Sequence, residues 1–189
     1  CIELAQDLGV RTIQLAGYDV YYEEKSPQTR QRFIKNLRKA CDWAEEAQVV
    51  LAIEIMDDPF INSIEKYLAV EKEIDSPYLF VYPDIGNVSA WHNDVYSEFY
   101  LGHHAIAALH LKDTYAVTES SKGQFRDVTF GQGCVKWEEA FDILKQTNYN
   151  GPFLIEMWSE NCETVEETRA AIQEAQAFLY PLIKKAGLM

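Results

Sequence analysis

The chain has no run of eighteen apolar residues and no basic-then-apolar leader, so neither a membrane span nor a secretory signal is expected. Basic residues are few: 17 Lys and Arg stand against 30 Asp and Glu, a net charge of -13, and such a surface repels a polyanionic backbone. Nucleic acid is therefore not an expected partner. The four cysteines, Cys1, Cys41, Cys134 and Cys162, include no CxxC pair, which argues against a zinc knuckle and a dense disulfide framework. Free thiols in a reducing cytoplasm fit that usage. No apolar run leads into a GxGxxG turn, so nothing offers to hold a dinucleotide pyrophosphate. Internal repeats, low-complexity stretches and interdomain linkers are missing too. What remains is ordinary composition for one domain with a sizeable core, 48% hydrophobic and 25% charged over 189 residues.

Apolar runs alternate with stretches of helical periodicity, which indicates an α/β fold with parallel strands. The runs are Thr12 to Ala16, Val49 to Met56, Leu79 to Pro83, Ile106 to Leu111 and Phe153 to Trp158. Ser26 followed by Pro27 reads as the cap and first position of a helix with an apolar stripe of Phe33, Leu37, Ala40, Cys41 and Ala44. Asn62 with Glu65, and Thr164 with Glu167, have the spacing of capping boxes for two more helices. Lys136 to Thr147 forms another, with Trp137, Ala140, Phe141 and Leu144 on one side, and Gly187 ends the last. Cys1 is not an initiator Met. Ile2, Leu4, Ala5 and Leu8 read as the last turns of a helix begun upstream and stopped at Gly9.

In a βα barrel the reactive groups gather at the C-terminal strand ends, so polar residues there carry the functional signal. Glu54 in LAIEIMD, Asp84 in VYPDIGN, His110 in AALHLKD and Glu156 in FLIEMWSE occupy those ends in order. Period two puts Ala52 with Glu54, Ala108 with His110, and Leu154 with Glu156 on the row facing the barrel mouth. A carboxylate among Leu, Ile and Val must be paired, protonated or bound to a cation. Three of them around one imidazole make a site for a single divalent ion, with Mn, Mg, Zn and Co all compatible. Taken singly, each residue has a plainer use: an ion pair for either Glu, a turn cap for Asp84, a hydrogen-bonded core position for His110.

Other polar residues at the strand exits give softer signals. Lys112 and Asp113 follow His110 and suit either a local ion pair or a substrate contact. Arg126 in QFRDV, then Gly131 and Gly133 in FGQGC, precede a helix, where backbone N–H groups can seat a phosphate or simply make a tight turn. Trp91 and His92 roof the pocket or pack on the surface. His103 and His104 fall at the entrance of their strand, the wrong end for catalysis.

TIQLAGYDVYYEE, LAIEIMD, VYPDIGNVSAW, HLKDT, QFRDVTFGQGCV and FLIEMW together resemble the L-ribulose-5-phosphate/L-xylulose-5-phosphate 3-epimerases of the xylose-isomerase-like barrel superfamily, along nearly the whole chain. The resemblance implies a (β/α)₈ TIM barrel of which this chain covers only the C-terminal five βα units, residues 1–189 being a single partial domain with strands 4 to 8 of the parent. It implies Glu54, Asp84, His110 and Glu156 as metal ligands, with Glu54 and Glu156 also the acid/base pair, and a homodimer acting on a sugar phosphate in the cytoplasm. Asn87, Lys112, Arg126, Gly131 and Gly133 are the candidate substrate-binding residues. Ketose 3-epimerases of free sugars have a histidine where this chain has Asn87, and an arginine where it has Ala116. That difference favours a phosphorylated pentulose over a free hexulose. The rival expectations are an aldose-ketose isomerase on the same scaffold and a noncatalytic barrel fragment.

Overall fold

A computed structural model covers residues 1–189. After helix α1 (Ile2–Leu8), strand β1 (Thr12–Ala16) leads to α2 (Pro27–Ala47), β2 (Val50–Glu54), α3 (Ile64–Ile74) and β3 (Leu79–Tyr82). Two short helices, α4 (Ile85–Ala90) and α5 (Val95–Gly102), and a 3₁₀ turn precede β4 (Leu109–Leu111). A hairpin of β5 (Asp113–Tyr115) and β6 (Gln124–Val128) comes next, then α6 (Trp137–Gln146), β7 (Phe153–Ile155) and α7 (Val165–Ala186).

The parallel strands hydrogen-bond in the order β1-β2-β3, with Ala16 opposite Glu54 and Glu54 opposite Tyr82. β4 pairs in parallel with β7, and isolated bridges Val81 to Ile106 and Asp84 to His110 join the two sets. Two apolar layers result. The main core of 32 buried residues lies between strands and helices and includes Leu51, Ile53, Leu109, Leu111 and Phe141. On the other face Ala52, Tyr82 and Ala108 form a small inner cluster. The two alanines there leave room for Glu54 and His110, two residues further along their strands.

Local chemistry explains the helix ends. Ser26 caps α2 in a reciprocal box with Thr29, Pro27 occupies the first turn, and Thr164 and Glu167 box the start of α7. The expected Asn62 and Glu65 box is replaced by Ser63, whose side chain accepts from Lys66 N, while Asn62 Oδ1 takes a hydrogen bond from Lys66 Nζ. Gly9 and Gly187 close α1 and α7 in the left-handed region, at φ 68° and 73°.

The reading of the chain as five C-terminal βα units is corrected: the TIM-barrel-like α/β fold extends through all 189 residues. Helix α1 belongs to the same body, with Ala5 in the main core and Gln6 Nε2 donating to Ala47 O at the end of α2. Between β3 and α6 the chain inserts α4 and an antiparallel hairpin that a bare βα count does not contain. QFRDV has no apolar alternation, so nothing in its pattern announces a strand.

Candidate metal centre

Glu54 ends β2, Asp84 follows β3, His110 is the middle residue of β4, and Glu156 follows β7. One donor atom from each lies within 4.8 Å of the other three. His110 Nδ1 is 2.8 Å from Glu54 Oε1, 3.0 Å from Glu156 Oε2 and 3.9 Å from Asp84 Oδ2. Asp84 is wholly buried, Glu54 and His110 nearly so, and Glu156 is half-buried. The parallel bridge between Asp84 and His110 holds those two side by side.

Asp84 divides its two oxygens. Oδ1 caps α4 by accepting from Asn87 N at 2.8 Å, so the turn-capping use and the site use are met by one side chain. Oδ2 is buried and has no hydrogen-bond donor; Lys112 Nζ stands 3.0 Å away but not along a hydrogen-bonding direction. Burial, with the like charge of Glu156, pushes the Asp84 carboxyl well above the usual range despite Lys112. For Glu156 burial also acts upward, yet hydrogen bonding to His110 and the charge of Lys112 win and hold it down to about 2. His110 is pulled down by burial and raised more strongly by its two glutamate partners, reaching about 9. Tyr82, 4.7 Å from the imidazole between ring centres, is pushed up to about 12 by burial and by the two glutamates.

These features fit one divalent ion. The donor set is three carboxylates and an imidazole, a hard-to-borderline combination. Lys112 offsets one charge beside Asp84 Oδ2, but three buried or half-buried carboxylates converge there, and that excess of negative charge is what a divalent ion would balance.

The remaining predicted residues fall into four situations. Lys112 is buried, with Nζ 3.3 Å from both oxygens of Glu156, so it neutralises the cluster from one side. Arg126 stacks its guanidinium 3.9 Å from the centre of the Trp158 ring and makes no salt bridge, at the wall of a cavity of about 300 Å³ that also meets Glu54, His110 and Glu156. Asn87 reaches that cavity, but its side-chain N–H donates to Ile55 O at 2.9 Å, and its Oδ1 has no partner. The phosphate seat expected at Gly131 and Gly133 is corrected. Both amides donate to Asp113 Oδ2, at 2.8 and 3.1 Å, and so point at a carboxylate within the chain. Trp91 packs on Phe125 and His92 bonds Val117 O, which puts both against the hairpin. A second, more apolar cavity of about 450 Å³ meets Lys112 and Glu156 from the α7 side, lined by Phe130, Met157 and Phe178. The smaller cavity is the one that reaches all but Asp84 of the four clustered residues.

Gln14, Tyr18 and Asp57 had no part in the expected site, and Asp113, expected as an ion pair or substrate contact, does something else. Gln14 on β1 donates through Nε2 to Glu54 Oε2 at 2.5 Å. Tyr18 and Asp57, hydrogen-bonded to each other, line the same cavity. Asp113, 1% exposed, gathers the amides of Thr114, Gly131, Gly133 and Val135 and so ties the β6–α6 loop to the site. Gln14 sits two residues before the end of an apolar strand, in the row shared with Ala16, and that parity was the available signal.

A four-donor cluster at strand ends of a parallel α/β barrel defines a class, and the sequence agrees: the chain belongs to the Xylose isomerase-like TIM barrel family, which it matches over residues 1–182. Over 188 residues it is 52% identical to SgbU of Haemophilus influenzae and 47% identical to UlaE of Escherichia coli O157:H7, both carrying the name of an L-ribulose-5-phosphate 3-epimerase. Those matches cover 100% of this chain and 65% and 63% of the two relatives, so the chain spans somewhat under two thirds of their length. Among solved structures, an L-ribulose 3-epimerase superposes with a TM-score of 0.77 at 19% identity over 98% of this chain and 65% of that one. A xylose isomerase domain protein from Planctomyces limnophilus gives 0.78 at 20% identity, over 100% and 63%. At such identities these two show the fold alone. The whole chain takes part in the match, a second ground for replacing the five-unit reading.

Proposed function

We propose that the protein is a metal-dependent sugar-phosphate 3-epimerase that interconverts L-ribulose 5-phosphate and L-xylulose 5-phosphate. The observation that carries this is the convergence of Glu54, Asp84, His110 and Glu156 within 4.8 Å beneath a cavity walled by Arg126. The names of SgbU and UlaE point the same way.

Glu54, Asp84, His110 and Glu156 would hold the ion. A bound ion would supply Lewis acidity to the ketose, making the C3 proton acidic enough for a carboxylate base. Glu54 and Glu156 are the acid/base pair: one takes the C3 proton, the other returns a proton to the opposite face, and the two exchange roles in the reverse direction. Two bases explain inversion without a redox cofactor. Lys112 keeps Glu156 ionised and adds a fixed positive charge beside the developing enediolate. Arg126, held flat by Trp158 and free of acidic partners, takes the substrate phosphate, and Asn87 Oδ1 accepts from a sugar hydroxyl. A homodimer in the cytoplasm completes this reading, on the family resemblance alone.

Incubation of the purified protein with Mn²⁺ and L-ribulose 5-phosphate in D₂O, followed by NMR, tests the assignment. Deuterium at C3 together with L-xylulose 5-phosphate is expected. Exchange at C1 or C2 with aldose formation would replace it with an aldose-ketose isomerase.

A further inference from the structure

We infer that Gln14 is a positioning residue for Glu54, fixing which carboxylate oxygen faces the cation cluster; this rests on the metal reading proposed above. In the parallel register Gln14 lies opposite Ala52 and Ala16 opposite Glu54, so all four share the row that faces the mouth. Its Nε2 donates to Glu54 Oε2 at 2.5 Å, while Glu54 Oε1 lies 2.8 Å from His110 Nδ1. One oxygen is thus held outward by a neutral amide, and the other is turned inward to the cluster.

The contrast with the second glutamate sharpens the assignment. Glu156 is braced by Lys112, a full positive charge 3.3 Å from both of its oxygens. Glu54 has no cationic side chain of its own beyond His110, and Gln14 is its remaining donor. The Gln14 side chain is exposed and makes no other hydrogen bond, so its contact with Glu54 is not a by-product of core packing. Partners of this kind orient a ligand and preserve the geometry an ion requires.

The test is a double-mutant cycle read by Mn²⁺ calorimetry on the wild type, Gln14→Met, Glu54→Gln and the double variant. Gln14→Met keeps the length and removes the donor. It should weaken Mn²⁺ binding about tenfold with the thermal midpoint unchanged within about 2 °C. In the Glu54→Gln background the same change should alter affinity by less than about twofold. Wild-type affinity in Gln14→Met, or an equal loss in both backgrounds, overturns the inference. A second readout stands apart from the metal: the Gln14 side-chain NH₂ resonances, identified by their loss in Gln14→Met, should shift in Glu54→Gln. Unmoved resonances overturn the positioning role even if Mn²⁺ binds. Absence of Mn²⁺ binding by the wild type, with the resonances shifting, overturns the metal reading and leaves the Gln14 to Glu54 contact standing.

Discussion

Replacing Asp113 by Ala should unfasten the loop between β6 and α6. Asp113 Oδ1 accepts from Thr114 N at 2.9 Å and Val135 N at 3.3 Å, and Oδ2 from Gly131 N at 2.8 Å and Gly133 N at 3.1 Å. Trp137 Nε1 lies at the outer limit, 3.5 Å. Hydrogen bonds to a charged acceptor are worth about 1.5–3 kcal/mol each, but amides of a loosened loop regain water, so only part of the sum is lost. Two unrecovered bonds give a cost of about 3–6 kcal/mol. For a chain of this size that lowers the thermal midpoint by about 6–24 °C. Asp113→Asn keeps one acceptor and turns an NH₂ toward amides that are themselves donors, so its loss should be intermediate. Thermal unfolding by circular dichroism gives the midpoints, and hydrogen exchange at residues 131, 133 and 135 localises the effect. A drop of less than about 2 °C in Asp113→Ala, with protection at those amides unchanged, would refute the anchoring role.

Glu156→Gln should keep the fold and lower turnover by about 10²–10⁴, because it removes a proton-transfer group at the site; near-normal turnover on L-ribulose 5-phosphate would contradict its assignment. Arg126→Leu should raise KM for the phosphorylated sugar about tenfold or more while changing kcat little, and a loss confined to kcat would move Arg126 out of the phosphate contact. Burial acts upward on the Asp19 carboxyl, but hydrogen bonds from Lys25 and Thr29, both at 2.6 Å, outweigh it and hold the carboxyl below its usual range. A depressed carboxylate adds stability above its unfolded pKa and loses it as pH falls through the folded one. Urea midpoints measured from neutral pH into the acid should therefore fall less steeply in Asp19→Asn than in the wild type, and parallel slopes would be the contrary result.

The legible parts of this structure are those governed by local pattern. β1 begins and ends where the apolar run does, and the caps at Ser26 and Thr164 follow from side chains that meet their own backbone within three residues. Glu54, Asp84, His110 and Glu156 could be read as convergent because each interrupts or ends an apolar strand at the same end. What escaped depends on partners distant in sequence. Gln14 meets Glu54 forty residues away, and the glycine amides that resemble an anion seat are answered by Asp113, eighteen and twenty residues before them. Asn62 and Glu65 satisfy a capping-box spacing, yet Ser63 takes the cap, because Ile64 N and Glu65 N are met by Glu98 from α5. The five apolar runs all became parallel strands, whereas the hairpin went unread because its strands pair across an insertion rather than by periodicity.

Mn²⁺ binding followed by electron paramagnetic resonance, on the wild type and on Asp84→Ala, bears most directly on the idea that buried acids at the strand ends grip one cation. One bound ion per chain in the wild type, lost or weakened by about 100-fold without the Asp84 carboxylate, is the predicted result. Equal binding by both proteins, or none by the wild type, would contradict it.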